Sequence, residues 1–98
     1  IVLFIVALGV LPALVEEILF RGFLYTALRR KLSIFPSLVI SGFVFSAIHL
    51  DLGGFLQLFC LGFLFAFIME KTRSLVPSMV AHCMWNSCTF IMALVAYS

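Results

Sequence analysis

The first 28 residues of the chain form a single apolar run, Ile1 to Leu28, broken only by Glu16, Glu17 and Arg21. That is long enough to cross a bilayer, for which about 20 apolar residues suffice. An ionised side chain facing lipid at the centre of such a helix costs about 2.5 to 3.5 kcal/mol on insertion scales. Three in one helix must therefore face a protein interior or a wet cavity. His49, His82 and Asn86 lie in similarly apolar surroundings further along. These six residues are the candidate functional set.

Composition points the same way. The chain is 65% hydrophobic and 10% charged, with a mean hydropathy of +1.32, whereas soluble domains carry about 25% charge. Ninety-eight residues make one domain at most, 1–98, and apolar helices leave too little polar surface for a water-soluble ball. The expected fold class is all-α: a polytopic membrane bundle of about four transmembrane or partly buried helices. It starts at Ile1, with neither an initiator Met nor a basic n-region, and so reads as a fragment of a larger bundle without a signal peptide. Cys60, Cys83 and Cys88 lack CxxC spacing and read as small packing residues.

Charge and turn signals divide the chain into four segments. The first ends at Arg29, Arg30 and Lys31; the second runs from about Pro36 to His49 or Leu50, where Asp51, Gly53 and Gly54 break it. A third covers about Phe55 to Met69 and is closed by the charged run Glu70 to Arg73. Pro77 suits the first turn of a fourth, ending near Tyr97. The second and third are short for independent spans, which a bundle or a water-filled cavity tolerates. Loops 29–31 and 71–73 hold five of the six basic residues. A four-span zigzag puts both on one side, which the positive-inside rule makes cytoplasmic.

Helical period decides which residues meet. Glu17 and Arg21 are four apart and form an acid-before-base pair on one face. Glu16 is turned by about 100° from Glu17, so one arginine cannot easily serve both, and Glu16 is the freer. Ser78, His82 and Asn86 recur every four residues as one polar stripe. Phe45 and His49 share a face, with Gly42 and Ser46 as small residues permitting close packing. Singly, each has a bland reading: either His as an interhelical hydrogen-bond partner, Asn86 as helix glue, Glu17–Arg21 as a structural ion pair. Two adjacent carboxylates, two histidines and an amide from three helices exceed what gluing helices requires.

The set suits amide hydrolysis without a covalent intermediate. A carboxylate takes a proton from water and returns it to the leaving amine, imidazole orients water or donates to developing charge, and an Asn amide is a donor of the oxyanion-hole type. There is no HExxH zinc motif, Asp51 is the only aspartate, and Ser41 before Gly42 lacks a GxSxG context. A metal remains an alternative, because two His and a carboxylate can hold Zn²⁺ with a position open for water.

Three motifs carry a resemblance: Glu16-Glu17-Ile18-Leu19-Phe20-Arg21 reads EExxxR, Phe45 to His49 reads FxxxH, and His82 to Asn86 reads HxxxN. In that order, on successive apolar segments, they are similar to the signature of the CAAX protease and bacteriocin-processing (CPBP) family of intramembrane glutamic proteases, also called type II CAAX prenyl endopeptidases or the Abi family. The resemblance implies that Glu16 and His49 activate water, that His82 and Asn86 stabilise the oxyanion, and that Glu17 and Arg21 hold the first helix in place. It implies no cofactor, with zinc as the alternative because the family has been classed with metalloproteases. The implied partners are the bilayer and a membrane-associated peptide or lipidated protein, with no nucleic acid, and a cytoplasmic opening of the site is favoured.

Two other classes stay in view. A non-catalytic protein for bacteriocin self-immunity or scaffolding would not need Glu16 if Glu17 already pairs with Arg21, and a proton-coupled transporter could also use buried Glu and His. One expectation is strained by helix rise: Glu16 lies about 20 Å from Arg29 and His49 about 20 Å from Pro36, but His82 and Asn86 only about 8 to 14 Å beyond Pro77. Either the first helix projects out of the membrane or the fourth starts deeper than its neighbours.

Overall fold

A computed structural model describes residues 1–97. Four helices account for nearly all of them: α1 (Val2–Arg29), α2 (Ile34–Ile48), α3 (Phe55–Thr72) and α4 (Leu75–Ala96). No strand occurs among the described residues. The all-α membrane bundle is what the apolar runs require. Helices α1, α3 and α4 are long and apolar enough to cross a bilayer, and α2, with 15 residues, is the short one. Leu3, Phe23, Phe35, Leu56 and Met92 are exposed on its outside, the surface expected of helices that face lipid.

Helix α1 is not uniformly wound. It relaxes to π-helical turns over Val6–Val10 and again over Ile18–Tyr25. The first precedes Pro12, which has no N–H to give to Leu8 and crowds that carbonyl; the Leu11 N–H reaches back to Val6 instead. The second begins directly after Glu17 and contains Arg21, a placement typical of π-turns at functional positions.

The turns follow local chemistry. Ser33 is extended ahead of α2, and Pro36 falls in its first turn. The Ser74 hydroxyl accepts from the Val76 N–H at 3.2 Å and caps α4, with Pro77 just inside. Helix α3 stops at Arg73, which takes left-handed backbone angles and bonds its N–H to the Met69 carbonyl.

Helices α2 and α3 form an antiparallel hairpin whose backbones nearly touch. A Cβ on Gly42 would stand 3.0 Å from the Phe59 carbonyl oxygen, and one on Gly62 would stand 3.0 Å from the Gly42 Cα. Only small residues permit that approach. The hairpin packs on α1 chiefly through Ile18–Tyr25, where Tyr25, Leu38 and Ala66 form the buried apolar cluster. The first half of α1 packs instead along α4.

Helices α1 and α4 are antiparallel, with Gly22 beside Leu75, Glu17 beside Ser78 and Gly9 beside Ser87. Helix α4 thus starts level with Gly22, seven residues before the end of α1 at Arg29. The end of α1 therefore extends past the start of α4, which is the offset that the helix rise calls for.

Candidate active site

Glu16 and Glu17 stand at the junction where α1 changes winding, and neighbouring positions there diverge in fate. Glu17 and Arg21 are wholly buried, whereas Glu16 is part-exposed. Arg21 Nε lies 3.3 Å from Glu17 Oε1, so the expected i,i+4 ion pair forms. The guanidinium also donates through Nη2 to the Gly62 carbonyl at 3.2 Å. It sits 4.8 Å from the Phe45 ring centre and 5.2 Å from that of Phe65, a desolvated cation–π seat. Charge, carbonyl and ring faces together offset part of the cost of burying it.

Glu17 does more than balance Arg21. Its Oε1 accepts a hydrogen bond from the buried Ser78 hydroxyl, and its Oε2 lies 2.6 Å from Nδ1 of His82. The other nitrogen of the same ring, Nε2, stands 3.2 Å from Oε1 of Glu16. Phe65 stacks on that imidazole with ring centres 4.7 Å apart. The ring is thus held on two edges and one face.

His49 closes α2. Its Nδ1 donates to the Phe45 carbonyl at 2.6 Å, which leaves Nε2 of a neutral ring as an acceptor. That Nε2 lies 4.0 Å from Oε2 of Glu16. Asn86 gives a long 3.5 Å hydrogen bond from Nδ2 to the Gly9 carbonyl. Glu16, His49, His82 and Asn86 all line one cavity of about 420 Å³, otherwise walled by apolar groups such as Leu8, Leu61, Phe65, Trp85 and Phe90. The cavity lies in the half of the bundle away from the basic residues 29–31 and 71–73. Of the two expected loops, Arg29 still belongs to α1 and Lys71 and Thr72 to α3, because α3 runs on through the charged residues to the left-handed Arg73.

All six candidate residues therefore meet at one place, and the geometry adds two details to what spacing and the resemblance imply. The nearer histidine to Glu16 is His82, not His49. Glu17, expected only to anchor Arg21, is also the carboxylate on the far side of His82. Spacing from His82 places Ser78 on the polar stripe but assigns it no role, and Phe65 is not singled out, since nothing in the sequence separates it from the other phenylalanines of α3.

The chemistry open to this arrangement is that of a carboxylate beside two imidazoles at the wall of a mostly apolar cavity: proton transfer to and from a bound water or amide. Among the described residues, no group of three or more His, Cys, Asp or Glu is arranged to hold a metal ion. Compared with known protein families, residues 1–88 match the one described as type II CAAX prenyl endopeptidase, Rce1-like. The chain belongs to this Rce1-like family. Membership implies a CAAX protease, and three of the helices are long and apolar enough to cross a membrane. The match covers all three motifs and with them every candidate residue. Searches of curated proteins and of solved structures gave no match.

Proposed function

We propose that the chain is the core of an intramembrane endopeptidase that hydrolyses a peptide bond in a membrane-associated substrate of the prenylated CAAX type, by a glutamate-based mechanism without a metal. The observation that carries this reading is the position of Glu16: a carboxylate at the cavity wall, with His82 Nε2 at 3.2 Å and His49 Nε2 at 4.0 Å. A water held between Glu16 and His49 gives its proton to the Glu16 carboxylate as its oxygen attacks the scissile carbonyl carbon. The developing oxyanion is met by the Nε2–H of His82 and the Nδ2–H of Asn86. Asn86 gives up only a long contact to do so, and Glu17 keeps the His82 ring oriented while Nε2 changes partner. Collapse breaks the C–N bond, Glu16 passes its proton to the leaving amine, and a carboxylic acid and an amine are released.

The apolar walls of the cavity support a lipid-bearing substrate. Residues 29–31 and 71–73 are proposed to be cytoplasmic, which sets the cavity in the opposite half of the bundle, against the cytoplasmic opening that the family resemblance implies. The test is cleavage of a panel of lipidated peptides by the membrane-reconstituted protein beside Glu16→Ala and His49→Ala. Cleavage by the wild type and none by either variant is expected. Unchanged cleavage by both would remove Glu16 and His49 from the mechanism, and a wild type without hydrolytic activity would favour the scaffold or immunity reading.

A further inference from the structure

The end of the bundle remote from the cavity carries five cations, Arg29, Arg30, Lys31, Lys71 and Arg73, against one carboxylate, Glu70. That carboxylate is already engaged, because its Oε1 accepts from the Tyr25 hydroxyl at 2.7 Å and from Arg29 Nε at 2.8 Å. Arg30, Lys31, Lys71 and Arg73 are exposed and have no ion-pair partner among the described residues. The cations begin where the apolar helices end, which is the level of lipid headgroups.

Beneath two of them lies a crevice of about 440 Å³ between the start of α2 and the end of α3. Ile34, Leu38 and Phe67 provide its apolar lining, and Glu70, Lys71 and Arg73 its charged rim. Lys71 joins the two, with Nζ 5.5 Å from the centre of the Phe67 ring. Arg73 takes a φ of 55°, a conformation that suits glycine better than arginine. The turn thus carries backbone strain at a position where a cation stands on the rim.

We propose that this crevice binds a phospholipid with an anionic headgroup, its phosphate between Lys71 and Arg73 and an acyl chain along Ile34, Leu38 and Phe67. Charge selects the headgroup, since the rim would repel the cation of a choline lipid while attracting a net anion. The apolar lining excludes a free soluble anion as the natural occupant, because such a ligand would leave that surface uncovered. The site lies at the opposite end from Glu16 and stands independently of the proposed reaction.

Native mass spectrometry of the detergent-purified protein, titrated with phosphatidylglycerol or phosphatidylcholine, provides the test. The wild type is expected to hold phosphatidylglycerol preferentially. Lys71→Gln with Arg73→Gln is expected to weaken that binding roughly thirtyfold and leave phosphatidylcholine unaffected. Arg73→Gly, which relieves the backbone strain and so preserves folding, is expected to weaken it roughly fivefold. Arg30→Gln with Lys31→Gln, outside the crevice, is expected to keep the preference. Equal binding of the two lipids by the wild type would overturn the proposal, as would a preference that survives loss of Lys71 and Arg73. Displacement of the lipid by inorganic phosphate alone would also overturn it, by showing a site for the anion without its chain.

Discussion

Nδ1 of His82 lies 2.6 Å from Oε2 of Glu17 while Nε2 of the same ring lies 3.2 Å from Oε1 of Glu16. Both contacts are hydrogen bonds only when the ring and the two carboxyl groups share two protons. The Glu17 side is fixed, being buried and tied to Ser78 and Arg21. The Glu16 side faces the cavity, so it is the contact that can be exchanged for a substrate.

Glu16→Gln keeps the shape of the wall and removes the proton acceptor. Loss of general-base catalysis is worth about 10²- to 10⁴-fold in rate, so kcat should fall by that order while helix content and thermal unfolding in detergent stay as in the wild type. Cleavage within a few-fold of wild type would rule out Glu16 as the base.

Ser78→Ala leaves a buried Glu17 oxygen without its donor, a change worth about 1 to 3 kcal/mol. Stability should drop accordingly, and kcat should fall more than KM rises because His82 loses its steady orientation. Ser78→Thr retains the hydroxyl and should recover most of the rate. If Ala and Thr behave alike, the hydroxyl has no positioning role.

Arg21→Met removes the guanidinium beside Glu17 and leaves that buried carboxylate with only Ser78 and His82, at a cost of up to about 3 to 5 kcal/mol. Arg21→Lys should also lose stability, since an ammonium cannot both reach Gly62 and stack between Phe45 and Phe65. Thermal unfolding in detergent measures both. A transition temperature unchanged in Arg21→Met would show that the pair contributes nothing to the fold.

Exhaustive chelation of the purified protein should leave peptide cleavage intact. Loss of activity that returns with Zn²⁺ and not with Mg²⁺ would replace the glutamate mechanism by a metal-dependent one.

Loops 29–31 and 71–73 should share the cytoplasmic side. With Cys60, Cys83 and Cys88 replaced, Lys31→Cys and Arg73→Cys should resist an impermeant thiol reagent in intact cells and react with it in inverted vesicles. Labelling of either in intact cells would reverse the assigned orientation.

Much of this molecule was readable residue by residue. Apolar runs too long for a soluble core made membrane helices unavoidable, and charged or Gly-containing breaks placed their ends close to where they fall. Spacing of four put Glu17 against Arg21, and the three motifs together indicated the family. The polar stripe of α4 was legible as well, but not how it divides: Ser78 turns to Glu17, His82 bridges Glu17 and the cavity-facing Glu16, and Asn86 reaches the cavity and Gly9. Period determines which residues share a face of one helix. It says nothing about how far one helix slides along another, and that offset depends on contacts such as Gly42 against Gly62 and on the tight turn at Arg73 that starts α4 level with Gly22. Only the tertiary structure therefore decided that His82 rather than His49 is the nearer partner of Glu16, and that Phe65 forms the wall behind it.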